Sequence, residues 1–319
     1  MAQSAISPTI PLLDLRKFRD PFVTAKGERR AQVALKSLDT LWLNTGTLCN
    51  LTCTNCYIES SPKNDRLEYL TAAEAARYLD EIRNRALPTQ LIGFTGGEPF
   101  MNPDLIEMVD DALTRGFDVI ILTNAMRPMQ KHKAALLDLL GRHPDRMTIR
   151  VSIDHYGPAV HEAERGKRSF LPTLDGLQWL ALNGFRIDVA SRRLSGETEA
   201  DIRAGFARLF AQHDIAVDAN DPVQLMVFPE MNAMVDVPEI TEACWGILHK
   251  SPNDVMCASS RMVVKRKGAA SPVVLACTLL PYDPQFELGS TLADAETSVA
   301  LNHPHCAKFC VLGGAACSR

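Results

Sequence analysis

Three thiols fall within eight residues in Cys49-Asn50-Leu51-Thr52-Cys53-Thr54-Asn55-Cys56. A structural zinc site wants four ligands, and a disulfide wants two. A cubane iron–sulfur cluster has four irons and takes four thiolates when fully ligated. Three thiolates would leave one iron open to a substrate or cosubstrate, much as a catalytic zinc site keeps one position open. Two plainer readings stand beside this one. The trio could bind zinc with a distant fourth ligand, or serve as small buried hydrophobes. The polar loop around the thiols makes a poor core.

A second group is Thr95-Gly96-Gly97-Glu98-Pro99. Its two glycines remove side chains where backbone must approach a ligand closely, and Glu98 offers an acceptor to an ammonium group. An ordinary Gly-Pro turn with a solvated carboxylate is the plainer reading. Further along come Ile121–Met126 ("ILTNAM") and Val151-Ser152-Ile153-Asp154, the latter followed by "HYGPAVHEAERG". Six more cysteines lie beyond the trio: Cys244, Cys257, Cys277, Cys306, Cys310 and Cys317.

The elements that must position these residues show a rhythm. Strands are expected at 38–46, 90–95, 118–123, 147–153, 186–190 and 223–228, alternating with helices at 71–86, 103–115, 129–141, 172–183 and 198–212. The first helix opens on a Thr-x-x-Glu capping box, Thr71 and Glu74. Alternating strands and helices imply a parallel sheet with right-handed crossovers. Six such strands build a partial (β/α)6 TIM-type barrel or an open doubly wound sheet. In either, the loops at the carboxyl ends of the strands carry the site, and the thiol trio follows the first strand directly. After about residue 235 the rhythm stops, and "RMVVKRKGAASPVVLAC" reads as a β-hairpin with a basic tip at Lys265–Lys267. The tip is ordinarily a solvated turn, with docking of an acidic partner as the alternative. The expected organisation is an arm at 1–37, the α/β unit at 38–235, and a small Cys-rich α+β extension at 236–319.

Composition sets bounds on function. The chain has 319 residues, 46% apolar and 23% charged, with a formal charge of −4. That gives no electrostatic footprint for nucleic acid or an anionic membrane surface. No apolar run reaches the ~18 residues of a membrane span, and the N-terminus carries no secretory pattern. Nine cysteines without an export signal point to metal or redox chemistry in the cytoplasm rather than a disulfide framework.

Cys-x3-Cys-x2-Cys after a first strand resembles the signature of the radical SAM superfamily. Membership implies a 4Fe-4S cluster held by Cys49, Cys53 and Cys56 whose free iron chelates S-adenosylmethionine. One electron then cleaves the sulfonium and releases a 5′-deoxyadenosyl radical that abstracts a substrate hydrogen. "GGEP" resembles the motif that holds the methionine amino group, which implies roles for Gly96, Gly97 and Glu98. "LTNA" resembles a Thr-Asn-Gly step, with Ala125 departing from Gly, and makes Asn124 a site candidate. The Ser-x-Asp strand resembles that of the peptide-modifying branch. It implies Ser152 at the ribose, Asp154 nearby and Arg165 at the carboxylate of S-adenosylmethionine. The residue before the third motif cysteine is usually aromatic in this family. Here it is Asn55, so Tyr57 is the candidate on the adenine side.

The tail, with its hairpin between Cys257 and Cys277 and its later Cys306-x3-Cys310-x6-Cys317, resembles the SPASM/twitch extension. That implies one auxiliary 4Fe-4S cluster drawing on Cys257, Cys277 and two of Cys306, Cys310 and Cys317, with structural zinc as the alternative. Cys244 reads as a buried apolar residue. Glu230, after the sixth strand, is a weak candidate for the catalytic acid or base. The resemblance also implies a reductant such as flavodoxin or ferredoxin, and a peptide, protein or small-molecule substrate that is oxidised or cross-linked. A dehydrogenase or epimerase of a small metabolite, and a non-catalytic iron–sulfur or zinc scaffold, are the alternatives. The leader-binding winged helix of many peptide-modifying members is not expected in the 37 residues before the first strand, where a separate recognition protein could replace it.

Overall fold

The computed structural model describes residues 11–194, 196–230 and 232–313; Cys317 lies outside them. In chain order the strands are β1 (Gln32–Val33), β2 (Thr40–Asn44), β3 (Leu91–Thr95), β4 (Asp118–Thr123), β5 (Met147–Ser152), β6 (Arg186–Arg192), β7 (Leu225–Phe228), β8 (Ser260–Val264), β9 (Val273–Leu275), β10 (Glu287–Gly289) and β11 (Val299–Ala300). The helices are α1 (Ala72–Asn84), α2 (Leu105–Thr114), α3 (Arg127–Gln130), α4 (Lys133–Arg142), α5 (Pro158–Arg165), α6 (Phe170–Leu182), α7 (Glu199–Gln212) and α8 (Cys244–Ile247).

Local sequence explains the main elements. Every residue of β2, Thr-Leu-Trp-Leu-Asn, is buried, as expected of a parallel strand covered on both faces. The α1 capping box forms: Glu74 N–H donates to Thr71 Oγ1 at 3.2 Å, and Thr71 N–H donates to Glu74 Oε2 at 3.0 Å. Leu105, Met108, Val109, Ala112 and Leu113 recur on one face of α2 and are buried against the sheet.

Nine strands make one sheet in the order β10-β9-β8-β2-β3-β4-β5-β6-β7, and no closure of its two edges is found among the described residues. From β8 to β7 every neighbour is parallel. The fold is therefore a partial α/β barrel. One large apolar cluster lies between the helices and the sheet. A smaller one, built around Trp42, Ile120, Met262 and Leu275, packs against Cys56 and Tyr57.

The hairpin of the tail continues this sheet. Thr40–Leu43 of β2 pairs in parallel with Ser260–Val263 of β8, and β9 folds back antiparallel on β8. The N-terminal arm contributes as well, since β1 pairs antiparallel with β11. A third apolar cluster under the tail contains Cys257 and Cys306, with Cys244, Cys277 and Cys310 packed against it. No helix among the described residues is long and apolar enough to cross a membrane.

Candidate active site

The cysteine loop runs from the end of β2 across the carboxyl ends of the parallel strands, and its geometry begins with backbone. Gly97 N–H donates to Gly46 O at 2.9 Å, and Glu98 N–H donates to Leu48 O at 3.1 Å. Gly96 takes a φ of +139°, and a Cβ there would stand 2.5 Å from Gly46 O. A Cβ on Gly97 would meet Leu48 O at 2.3 Å. Only glycines let these two loops lie backbone to backbone, and that contact sets where Cys49 begins.

The far side of the loop is anchored by Glu164, the penultimate residue of α5. Its buried carboxylate accepts from Asn55 N–H at 2.8 Å, from Asn55 Nδ2 at 2.8 Å and from Arg192 Nη1 at 3.0 Å. Thr54 N–H donates to the Glu164 carbonyl at 2.8 Å. The side-chain amide at position 55 thus makes a bond to Glu164 Oε2 that an aromatic ring could not, while the main-chain N–H takes Oε1. The tail supplies a third anchor through Tyr282, whose hydroxyl donates to Ile58 O at 2.8 Å.

Cys49, Cys53 and Cys56 line one cleft together with Tyr57, Ser60, Gly96, Gly97, Asn124, Ser152, Arg165 and Arg192. Burial pushes the Cys49 thiol up to about 12, with Glu98 and the other two thiols adding to the rise. Burial raises Cys53 too, against the pull of Arg165. Leu51 N–H points at Cys49 Sγ at 3.4 Å and Ser60 N–H at Cys56 Sγ at 3.4 Å. These donors favour sulfurs that carry negative charge. Ser60 Oγ is buried without a hydrogen-bond partner. Among the described residues no three His, Cys, Asp or Glu side chains gather tightly enough for a single metal ion. Sulfurs around one zinc stand only ~3.8 Å apart, given a Zn–S distance of ~2.3 Å; those at the corners of a cubane are spread wider. One buried and two half-buried thiols, two N–H donors aimed at sulfur and an unpartnered hydroxyl fit a three-thiolate cluster.

Asn124, Ser152 and Arg165 line this cleft and Asp154 the next, while two expected residues line neither. Asn124 Nδ2 donates to Asn50 Oδ1 at 2.9 Å, tying the end of β4 to the cysteine loop. Arg165 makes a two-pronged ion pair with Asp154, Nε to Oδ2 at 2.7 Å and Nη2 to Oδ1 at 3.1 Å. Burial opposes ionisation of Asp154, yet Arg165 and Arg192 outweigh it and hold the carboxyl below its usual range. The first departure is Glu98. Its carboxylate accepts from Thr123 Oγ1 at 2.8 Å, Asn124 N–H at 2.9 Å and Phe100 N–H at 3.3 Å, and it is absent from the cleft lining. Burial pushes it up to about 7 despite those donors. The second is Glu230, which is exposed beyond Pro229 and lines neither this cleft nor the next. Phe228 and Pro229 face inward there in its stead.

A second cleft shares Tyr57, Leu122, Ser152, Arg165 and Arg192 with the first. It is completed by Arg150, Asp154, Ala190, Ser191, Phe228, Leu279 and Phe309. Arg150 pairs with Asp188 at 2.9 Å, and the rings of Phe228 and Phe309 lie 5.2 Å apart. Sequence reasoning missed Arg192, Ser191 and Arg150. The usable signal was their place on or at the carboxyl ends of β5 and β6.

In the tail, Cys306 and Cys310 lie on one π-helical segment, Cys306–Leu312, a rare form that concentrates at functional sites. Burial pushes Cys257 up to about 11. It raises Cys306 strongly, with Cys277 and Cys257 adding to the effect. Cys306 thus senses two of the other candidate thiols from within an apolar core.

The radical SAM superfamily pattern matches residues 43–204, just over half of the chain. The chain belongs to the radical SAM superfamily. That family uses a 4Fe-4S cluster and S-adenosylmethionine, and the matched segment includes both the cysteine trio and Arg165. The antilisterial bacteriocin subtilosin biosynthesis protein AlbA of Bacillus subtilis (strain 168) is 31% identical over 143 residues, 44% of this chain and 30% of AlbA. The mycofactocin maturase MftC of Mycobacterium ulcerans (strain Agy99) is 33% identical over 137 residues, 43% of this chain and 35% of MftC. The matched segment thus spans about a third of these curated relatives. Streptococcus suis SuiB bound to S-adenosylmethionine superposes with a TM-score of 0.57 at 12% identity, covering 80% of this chain and 63% of SuiB. That likeness is one of fold.

Proposed function

We propose that this radical SAM protein is a maturase that modifies a peptide or protein through hydrogen abstraction. One observation carries the reading: Cys49, Cys53, Cys56, Gly96, Gly97, Asn124, Ser152 and Arg165, scattered over 117 positions of sequence from 49 to 165, line one cleft. When bound, the cluster and S-adenosylmethionine supply a 5′-deoxyadenosyl radical at the cost of one electron.

The chain's own residues then have distinct tasks. Cys49, Cys53 and Cys56 would hold the cluster. Gly96 and Gly97 keep the floor of the cleft free of side chains beside the methionine end. Arg165, fixed by Asp154 through Nε and Nη2, keeps Nη1 for a carboxylate. Ser152 meets the ribose, and Tyr57 the adenine side. Glu98 acts from behind the cleft by fixing Thr123 and Asn124. The second cleft, which shares Tyr57, Ser152 and Arg192 with the first, holds the substrate. Cys257, Cys277, Cys306 and Cys310 hold an auxiliary cluster beneath the tail, with Phe309 and Leu279 linking that core to the substrate cleft. The arm at 1–37, barrel at 38–235 and auxiliary unit at 236–319 act together in the cytoplasm, served by a small electron-donor protein.

Support for a peptide substrate comes from the names of relatives: a bacteriocin biosynthesis protein, a mycofactocin maturase, and SuiB solved with its precursor peptide SuiA. The test is anaerobic reconstitution followed by dithionite and S-adenosylmethionine. The native chain should form 5′-deoxyadenosine, whereas a triple Cys49/Cys53/Cys56→Ala variant should keep tail-bound iron and form none. Undiminished product from the variant rejects the assignment.

A further inference from the structure

Unpaired positive charge lies on the surface beside the cysteine loop. Asn50, next to Cys49, lines an outer groove with Met101, Pro103, Arg127, Lys131 and His132. Arg127 and Lys131 are exposed, and neither has an ion-pair partner among the described residues. The stretch 119–137 contains no acidic residue at all, in a chain whose formal charge is −4. The contrast with the other basic candidate is sharp. At the hairpin tip Lys265 pairs with Glu74 at 2.7 Å, Arg266 with Glu287 at 2.7 Å and Lys267 with Asp65 at 2.5 Å. That tip is neutralised, while the groove's cations are not.

The groove is also rigidly joined to the site. Asn50 Oδ1 accepts from Asn124 Nδ2 at 2.9 Å, Asn50 Nδ2 approaches Met126 Sδ at 3.8 Å, and Arg127 follows Met126 directly. The His132 and Phe100 rings lie 5.8 Å apart. A small apolar floor with a cationic rim suits a transient partner, because charge steers encounter and a small contact area allows release.

We propose that the Arg127–Lys131 groove docks an acidic one-electron donor protein of the flavodoxin or ferredoxin class. This rests on the radical SAM reading. In the step it serves, the donor is oxidised by one equivalent and the cluster at the three cysteines is reduced by one; no proton or leaving group moves.

The experiment titrates an oxidised acidic flavodoxin into the reconstituted protein by calorimetry, at about 50 mM and about 300 mM salt. Binding to R127E/K131E should be at least about tenfold weaker than to the native chain at low salt. High salt should bring the two together. Carbodiimide, which joins carboxylates to amines, should cross-link flavodoxin to Lys131. Formation of 5′-deoxyadenosine with dithionite, which needs no docking, should be the same in both proteins. Affinities within about twofold at low salt, or cross-links that avoid Lys131, overturn the proposal. If R127E/K131E unfolds, R127Q/K131Q serves with the same two readouts. No product with dithionite from the native chain would count against the radical SAM reading itself and not against the groove.

Discussion

Replacing Glu164 with Ala removes one carboxylate that accepts three hydrogen bonds, two from Asn55 and one from Arg192. Hydrogen bonds to charged groups contribute ~1.5–3 kcal/mol each, but these three share one acceptor and do not add. The better guide is the ~3–5 kcal/mol lost when one partner of a buried ion pair is deleted, because the other is left uncompensated. Arg192 retains Asp154 at 3.5 Å and the Asn55 carbonyl at 2.9 Å, so the lower part of that range applies. With ~2.1 cal/mol/K of unfolding entropy per residue, 319 residues give about 0.7 kcal/mol/K, and ~3 kcal/mol becomes a fall in Tm of about 4–5 °C. The same change removes both Asn55 bonds to the α5 carboxylate and leaves the loop held only by the Thr54 N–H bond to the residue-164 carbonyl, the Thr54 hydroxyl on Ala163 O and Arg192 on Asn55 O, so iron incorporated at the three-cysteine loop should drop as well. Glu164→Gln, which keeps one acceptor, should fall between. The assay is thermal unfolding of oxygen-free apoprotein, paired with iron content after reconstitution. A Tm change under about 1 °C with full iron in Glu164→Ala would refute the anchoring role.

Gly176 of α6 lies directly on the turn after β4, where a Cβ would stand 1.9 Å from Ala125 O. Gly176→Ala should therefore destabilise by at least ~2 kcal/mol, whereas Gly141→Ala in open space should be neutral or slightly stabilising; equal melting curves for the two would contradict this packing. His161 is buried, and burial together with the nearby Arg165 pulls its pKa down to about 4. Between pH 6.5 and 4 the unfolded chain therefore binds more protons at this residue than the folded one. Its neutral form adds stability near pH 7 that is lost as pH falls through that window. His161→Leu should show a shallower loss of stability than the native chain from pH 6.5 to 4.5, and parallel urea-unfolding profiles would remove His161 as the cause.

Much of the barrel was legible because parallel strands advertise themselves. "DVIILT" and "TLWLN" are apolar runs of strand length, and Thr71 with Glu74 marks a helix start by local chemistry alone. The helix α5 was not read, although Gly157-Pro158 and Gly166 bracket it, because half of Pro-Ala-Val-His-Glu-Ala-Glu-Arg is polar. Three of the four polar residues point into the protein: His161, Glu164 and Arg165 are its buried face. A rule that expects apolar residues inward fails on a helix whose inner face is a charged network. The pairing of β8 with β2 was equally invisible, since some two hundred positions separate partners that no local signal connects.

The candidate site divides in the same way. Cys49, Cys53 and Cys56 stand close in sequence, so their spacing carries the chemistry unaided. Glu98 was identified by motif, but what its carboxylate touches depends on Thr123 and Asn124 at the end of another strand. The Asn55 departure became intelligible only with Glu164 in view.

The most direct measurement is electron paramagnetic resonance of a variant lacking the tail thiols, Cys257/Cys277/Cys306/Cys310→Ala, so that only the cluster at the amino-terminal loop contributes. After anaerobic reduction, its signal should change on adding S-adenosylmethionine, as an iron left without a protein ligand acquires one. A signal indifferent to S-adenosylmethionine, in folded and iron-loaded protein, would contradict the account.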